Sequence, residues 1–235
     1  MPAQHPSLSN WTPLPLPERV TMEGRWVTLA PLSAAQHGRD LWLAVRGHDE
    51  VWAWLFDGPY AREGQLVEAL AAKETGSNAL FYAILPAAAK MAAGYASLMR
   101  MDPANGVIEV GNILYSPLLQ RTPAATEAMY LMARYIFEEL GYRRYEWKCN
   151  ALNLPSRRAA ERLGFTFEGV FRQHMVIKGQ NRDTAWYAML DHEWPARRQA
   201  FEAWLAEENF DQEGRQKRTL AKIATHPNEA ATPET

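Results

Sequence analysis

Cysteine is almost absent from this chain: Cys149 is the only one in 235 residues. A single thiol cannot close an internal disulfide, so nothing points to an oxidising compartment. Charge of one sign is lacking too. The formal net charge is -2, which leaves no global field to draw the chain onto nucleic acid or an anionic membrane. No apolar run approaches the length of a membrane span. Met1 to Asn10, with Pro2, His5 and Pro6, lacks the apolar core of a secretion signal. The six histidines are scattered without metal-ligand spacing, so no metal is expected. There is no internal repeat. Together these absences point to a cytoplasmic protein with neither a nucleic-acid nor a membrane partner.

What the chain does have is apolar and aromatic bulk. Hydrophobic residues make up 47% of it, enough for one well-buried core. Nine tryptophans are many for this length; Trp42, Trp52 and Trp54 lie close together, and Trp186, Trp194 and Trp204 recur later. Such rings read first as packing groups, and second as a wall for a substrate or a partner.

Residues 1–20 alternate Pro13, Pro15 and Pro17 with leucines and read as an extended arm. The stretch 25–30 alternates as a strand, and Ser33 is placed to cap a helix to about Arg46. An aromatic loop or short helix over 51–60 precedes a helix over 65–73. Three strands follow, over 79–85, 90–101 and 107–115, with a turn at Asp102-Pro103-Ala104-Asn105-Gly106. The strongest helix spans 124–140, where Met129, Met132, Ile136 and Leu140 recur at helical spacing and Gly141 stops it. A strand over 144–150, a helix over 154–163, strands over 165–170, 175–178 and 182–190, and a helix over 197–207 complete the pattern. The expected fold is α/β in the α+β sense: helices flanking a mixed, mostly antiparallel sheet of six to seven strands. Four segments result: the arm, a main domain over 21–194, a helix over 195–210 and a polar, disordered tail over 211–235. Phe201, Trp204 and Leu205 line one side of that helix, which would dock on the sheet or on a second copy in a homodimer.

The chemistry gathers at the junction from Tyr115 to Ala128. A strand ends, a short loop turns and the long helix begins. A helix start presents unpaired N–H groups and the positive end of the dipole, a place where phosphate binds without a cationic side chain. Thr122 suits the cap and Pro123 the first helical position. The N–H groups of Ala124, Ala125 and Thr126 would then face outward. Taken alone, the junction reads first as an ordinary capped helix.

The wider arrangement resembles the GNAT acetyltransferases, in particular their ribosomal-protein N-acetyltransferase-like branch. The residues that carry the likeness are Ile108-Glu109-Val110-Gly111, then Gln120-Arg121-Thr122-Pro123-Ala124-Ala125 continued by Thr126-Glu127-Ala128. Asn153-Leu154-Pro155-Ser156, Leu163-Gly164-Phe165 and the hairpin turn Gly179-Gln180-Asn181-Arg182-Asp183 follow in order. The likeness covers roughly Arg25 to Leu190. Pro123 stands where the family's phosphate loop has glycine, so one N–H donor is missing there.

The resemblance implies an N-acetyltransferase, with acetyl-CoA as cosubstrate and a primary amine of a small molecule or protein N-terminus as acceptor. A succinyl or other acyl donor, and a coenzyme-A-binding module without catalysis, stay open beside it. It implies that the pantetheine arm runs along the strand ending at Tyr115, bonding backbone near Ile113 and Leu114. The pyrophosphate would lie over Gln120, Arg121, Thr122, Pro123, Ala124, Ala125 and Thr126. The acetyl carbonyl would lie near Gly111 to Ile113, with strand N–H groups as an oxyanion hole. Glu109 is the candidate general base, its carboxyl expected to be desolvated and raised toward neutral pH; the alternative is a structural carboxylate. Ser156 matches a position that protonates the leaving thiolate in some relatives, and it equally suits a helix cap. Asn153 would bond the cofactor's amide chain. Arg157, Arg158 and Arg162 form a basic edge that either meets the 3'-phosphate or pairs with Glu161. Trp52, Trp54, Phe56, Asp57, Tyr60, Trp186 and Tyr187 are the expected acceptor wall, with Asp57 facing a cationic amine. Cys149 has no histidine near it in sequence and reads as structural.

Overall fold

Alternating burial builds the sheet. In β5 (Val107–Tyr115) Ile108 and Val110 point into the larger core, and Glu109 points to the opposite face. In β6 (Arg144–Asn150) Tyr145, Trp147 and Cys149 do the same, opposed by Glu146 and Lys148. The computed structural model describes residues 8–226. Its strands are β1 (Met22–Glu23), β2 (Val27–Pro31), β3 (Ala79–Pro86), β4 (Gly94–Asp102), β5, β6, β7 (Thr166–Ile177) and β8 (Gln180–Leu190). They form one eight-stranded sheet in the order β1-β2-β3-β4-β5-β6-β8-β7. Among the described residues only the β5–β6 pair is parallel.

Two layers of helices cover the sheet. On one face α1 (Ala34–Val45) and α2 (Glu63–Thr75) bury Leu41, Val45, Leu66 and Leu70 against Phe81, Ala83 and Tyr95. On the other, α3 (Pro123–Arg134), α4 (Leu154–Arg162) and α5 (Trp194–Leu205) pack on β5, β6 and β8. Glu127 of α3 ties this layer to the sheet edge: its buried carboxylate accepts the N–H groups of Arg25, Trp26 and Val27. The same carboxylate leaves Gly24 no room for a side chain, since an added Cβ would meet Glu127 Oε2.

Several segments differ from the sequence expectation. The two strands expected over 165–170 and 175–178 are one, β7, because Gln173 takes a left-handed φ of 50° at a bulge that Asp183 secures by accepting the Gln173 N–H (2.7 Å). The long helix ends in a widened π turn over Tyr135–Glu139, where the Leu140 N–H reaches back to Tyr135 O. Met22–Glu23 adds an edge strand, which brings the sheet to eight. The polar tail carries α6 (Leu220–Thr225), which buries Leu220 and Ile223 beside α5. Phe201, Trp204 and Leu205 of α5 face the chain's own core. Arm residues 8–20 lie extended, pinned by bonds such as Trp11 Nε1–H to Ala104 O (2.7 Å) and Tyr82 O–H to Glu18 O (2.9 Å). Residues 1–7 and 227–235 lie outside the described part.

Candidate active site

A parallel strand pair needs a crossover, and α3 supplies it between β5 and β6. The pair holds only from Val107 opposite Arg144 to Val110 opposite Trp147. Beyond that, β5 stays with β4, Leu114 opposite Tyr95, while β6 stays with β8, Asn150 opposite Thr184. The strands part at a bulge: Asn112 has a φ of 50°, and the β4–β5 register shifts between Tyr95 and Ser97. Asn112 Nδ2 donates to Ser97 Oγ (3.1 Å), which donates to Gly111 O (3.1 Å). From Gly111 to Leu114 the β6 side of the strand therefore has no ladder partner. A cleft of about 150 Å³ opens in this gap.

The start of α3 adjoins the gap. Thr122 is the cap, as expected, and its Oγ1 accepts the Ala125 N–H (3.2 Å) and donates to Leu119 O (2.7 Å). Pro123 occupies the first turn, where a missing N–H costs the helix nothing. Of the N–H groups of Ala124, Ala125 and Thr126, expected to face outward, only that of Ala124 is without an acceptor among the described residues. All three residues are buried, the Ala125 N–H is taken by the cap, and the cap's carbonyl takes the first helical bond. The N–H groups of Arg121, Thr122 and Ala124 meet no acceptor among the described residues. Arg121 is exposed with a φ of 61°, and Gln120 Nε2 donates to Tyr115 O (3.0 Å), so both hold the loop open.

On α4 it is Asn153, not Ser156, that caps: its Oδ1 accepts the Ser156 N–H (3.1 Å). Ser156 Oγ accepts from Trp147 Nε1 (3.0 Å), and its own O–H hydrogen-bonds the Cys149 sulfur. Both residues line the cleft, as does Cys149, whose thiol burial pushes upward. The basic edge divides. Arg157 Nε donates to Tyr187 Oη (3.0 Å), and the Tyr187 O–H donates to Glu161 (3.2 Å). Arg162 donates to Thr126 Oγ1 (3.1 Å) and lies over the Trp204 ring. Arg158 is exposed, with no ion-pair partner among the described residues.

Glu109 is 3% exposed, as burial on the strand predicted, but cations rather than an apolar shell surround it. Arg100 Nη1 donates to both of its oxygens (2.9 and 2.8 Å), and Lys148 Nζ lies 2.8 Å from Oε2. Lys148 also meets Glu146 at 2.6 Å and stands 3.8 Å from the centre of the Trp186 ring. Arg182 and Phe56 complete this side of the cleft.

The expected wall separates into parts. Trp54 lines the cleft and is 44% exposed, whereas Trp52 is 2% exposed and packs edge-on against Tyr60 in the core. Asp57 does not await an amine: its Oδ2 accepts from Lys73 and from the Tyr60 O–H. Burial alone would raise the Asp57 carboxyl, but those two hydrogen bonds outweigh it and hold it low. Trp186 stacks on Phe171 beneath Lys148. Tyr187, its neighbour on the opposite face of β8, is core. Phe56, expected in the wall, lines the cleft, whereas Lys148, Arg100 and Asn112 carried no local signal of a site. They converge only because β4, β5, β6 and β8 are neighbours in the sheet.

Comparison with known proteins agrees with this geometry. The family described as "Acetyltransferase (GNAT) domain" matches residues 27–166. A GCN5-related N-acetyltransferase from Brucella melitensis is 53% identical, with a TM-score of 0.91 over 93% of this chain and 100% of that one. A Chromobacterium violaceum structure titled as a probable acetyltransferase of the GNAT family is 38% identical, with a TM-score of 0.77 over 83% of this chain and 98% of that one. The Bacillus subtilis protein named "Putative ribosomal N-acetyltransferase YdaF" is 31% identical over 101 residues, 43% of this chain and 55% of its own length. The chain thus spans about half the length of the curated relatives it matches. The matched family span contains the parting strands, the start of α3 and the cap of α4, so the likeness reaches the site as well as the scaffold, and this chain belongs to the GNAT acetyltransferase family.

Proposed function

We propose that the protein moves an acetyl group from acetyl-CoA to a primary amine by direct attack on the thioester, the two substrates meeting between β5 and β6. The observation that carries this reading is the gap itself. An extended chain with amide groups fits beside Gly111–Leu114, where strand groups lack a partner. Its phosphates suit the free N–H groups of Arg121, Thr122 and Ala124 at the start of α3. Acetyl-CoA supplies the activated acyl carbon; the residues supply orientation, charge and a proton. Ile113 and Leu114 are the strand contacts, and within 120–126 the phosphate donors are the backbone N–H groups of Arg121, Thr122 and Ala124 rather than side chains.

Transfer forms a C–N bond, breaks the thioester C–S bond, takes a proton from the amine and gives one to the thiolate. Ser156 suits the donor's part, because its oxygen accepts from Trp147 and its proton, held on the weak Cys149 sulfur acceptor, lies at the cleft. Glu109 suits an indirect part on the amine side. Its oxygens are engaged by Arg100 and Lys148, and these cations at the mouth favour a neutral amine over an ammonium. His174 is a neutral base on the same face. Burial and the charges of Arg100, Arg182 and Lys148 hold its imidazole below the ordinary value.

The test is release of coenzyme A thiol from acetyl-CoA across a panel of primary amines. Saturable, amine-dependent release is expected, with Ser156→Ala lowering kcat by about 10²-fold at little change in KM. Acetyl-CoA binding without amine-dependent release would leave a coenzyme-A-binding module instead. A ribosomal acceptor, after the name of the Bacillus subtilis relative, belongs in the same panel as a purified protein.

A further inference from the structure

The acceptor side of the cleft carries three cationic side chains, Arg100, Lys148 and Arg182, against one carboxylate, Glu109. Two of the cations are accounted for. Arg100 pairs with Glu109, and Lys148 bridges Glu109 and Glu146. Arg182 is not. It is 7% exposed, yet among the described residues its guanidinium meets only Thr184 Oγ1, through Nε (3.2 Å), and the face of Phe56 at 5.3 Å. No carboxylate pairs with it directly; burial disfavours its charge, and the favourable fields of Cys149 and Glu109, opposed by that of Arg100, do not make this good. A desolvated cation without a counter-ion is costly to keep. The lobe around it is also closed on one side. Lys178, at the β7–β8 turn, donates to Trp52 O (3.1 Å) and Asp57 O (3.0 Å), tying the hairpin to the loop that carries Trp54 and Phe56. The space left suits a small molecule more than a polypeptide segment.

We propose that this lobe takes a carboxylate carried by one of the two reactants, seated on Arg182 with Arg100 beside it. The assignment rests on the acyl-transfer reading above. The carboxylate arrives in one of two ways: on an acceptor that is both amine and acid, as an amino acid is, or at the far end of a dicarboxylic acyl group. A polycationic amine has the wrong charge for the lobe. The incoming anion supplies the counter-ion that the fold withholds, and a charge-assisted bidentate contact to a guanidinium then discriminates against neutral analogues.

Two measurements test this on the full chain. The first is thermal melting with sodium succinate against succinamide at matched ionic strength. Succinate raises the Tm of the wild type and succinamide does not. Arg182→Met melts at or above the wild-type temperature without ligand, since an unpaired buried charge is gone, and loses the succinate shift. The second is thiol release in two arms. One sets an amino acid against its decarboxylated amine with acetyl-CoA; the other sets succinyl-CoA against acetyl-CoA with one neutral amine. One arm shows a preference of about 10- to 100-fold for the carboxylate-bearing reactant, and Arg182→Met reduces it to within about threefold. The arm that responds names the reactant. Flat arms and no succinate shift overturn the assignment, as does a preference that survives Arg182→Met. If Arg182→Met does not fold, the wild-type arms decide alone. A succinate shift confined to the wild type, with no response to any acyl-CoA, sinks the acyl-transfer reading and keeps the lobe. An acyl-CoA shift with flat carboxylate arms does the reverse.

Discussion

The two sides of the cleft offer positive charge by different means. On the α3 side the donors are backbone N–H groups at Arg121, Thr122 and Ala124, held by a threonine cap and a first-turn proline. On the acceptor side they are side chains from β4, β6 and β8, balanced around Glu109. Backbone donors need no counter-ion and survive most side-chain changes. An ion cluster with buried members holds only while every partner is present, because one deletion strands the others. The same contrast separates two buried glutamates: Glu127 accepts three backbone N–H groups and fixes the fold, whereas Glu109 fixes two movable cations at the mouth.

This contrast can be broken in graded steps. The deepest is beneath the acceptor mouth. Trp52→Ala should cost about 3–5 kcal/mol by denaturant unfolding, because the ring is core. Trp54→Ala, two residues on and exposed, should change stability by less than about 0.5 kcal/mol and raise the amine's KM instead. Next is Glu109→Gln, which leaves Lys148 and Arg100 short of a counter-ion and should cost about 3 kcal/mol. On the backbone side, Thr122→Ala should cost only about 1 kcal/mol, the ordinary worth of a cap. Coenzyme A affinity measured by calorimetry should fall little in that variant, since its donors are main-chain groups. The smallest effect belongs to Asp57→Asn. The Asp57 carboxyl is held below its ordinary value, so its contribution is complete above about pH 4 and is lost as pH falls through the folded value. Being partly exposed, the pair is worth about 1 kcal/mol or less, and the variant should flatten the acid limb of a stability-versus-pH curve by that amount.

The elements built from local signals were legible in the sequence. β5 and β6 have the bounds that alternation predicts, and Thr122 with Pro123 marks the start of α3. What escaped was non-local or conformational. Gln173 joins two predicted strands into one because its left-handed φ belongs to a bulge rather than a turn. Leu220 and Ile223 are too few to announce a helix, yet they suffice to seat one against α5. Asn153 and Ser156 compete for one cap, and only the hydrogen bond to the Ser156 N–H decides it. The cation cluster draws on residues far apart in the chain, so only the sheet order brings it together. Arg182 was visible as part of a hairpin motif, but its missing counter-ion was not.

The central claim is that the gap between β5 and β6, with the start of α3, binds an acyl-coenzyme A. Thermal melting of the intact protein with and without acetyl-CoA tests it most directly. Ligand at about a hundred times its Kd stabilises the folded state by about 2.7 kcal/mol, which for a chain of this size raises the Tm by roughly 5 °C or more. That rise is the predicted result. An unchanged Tm at millimolar acetyl-CoA would contradict the account and leave the protein a GNAT fold without its cosubstrate.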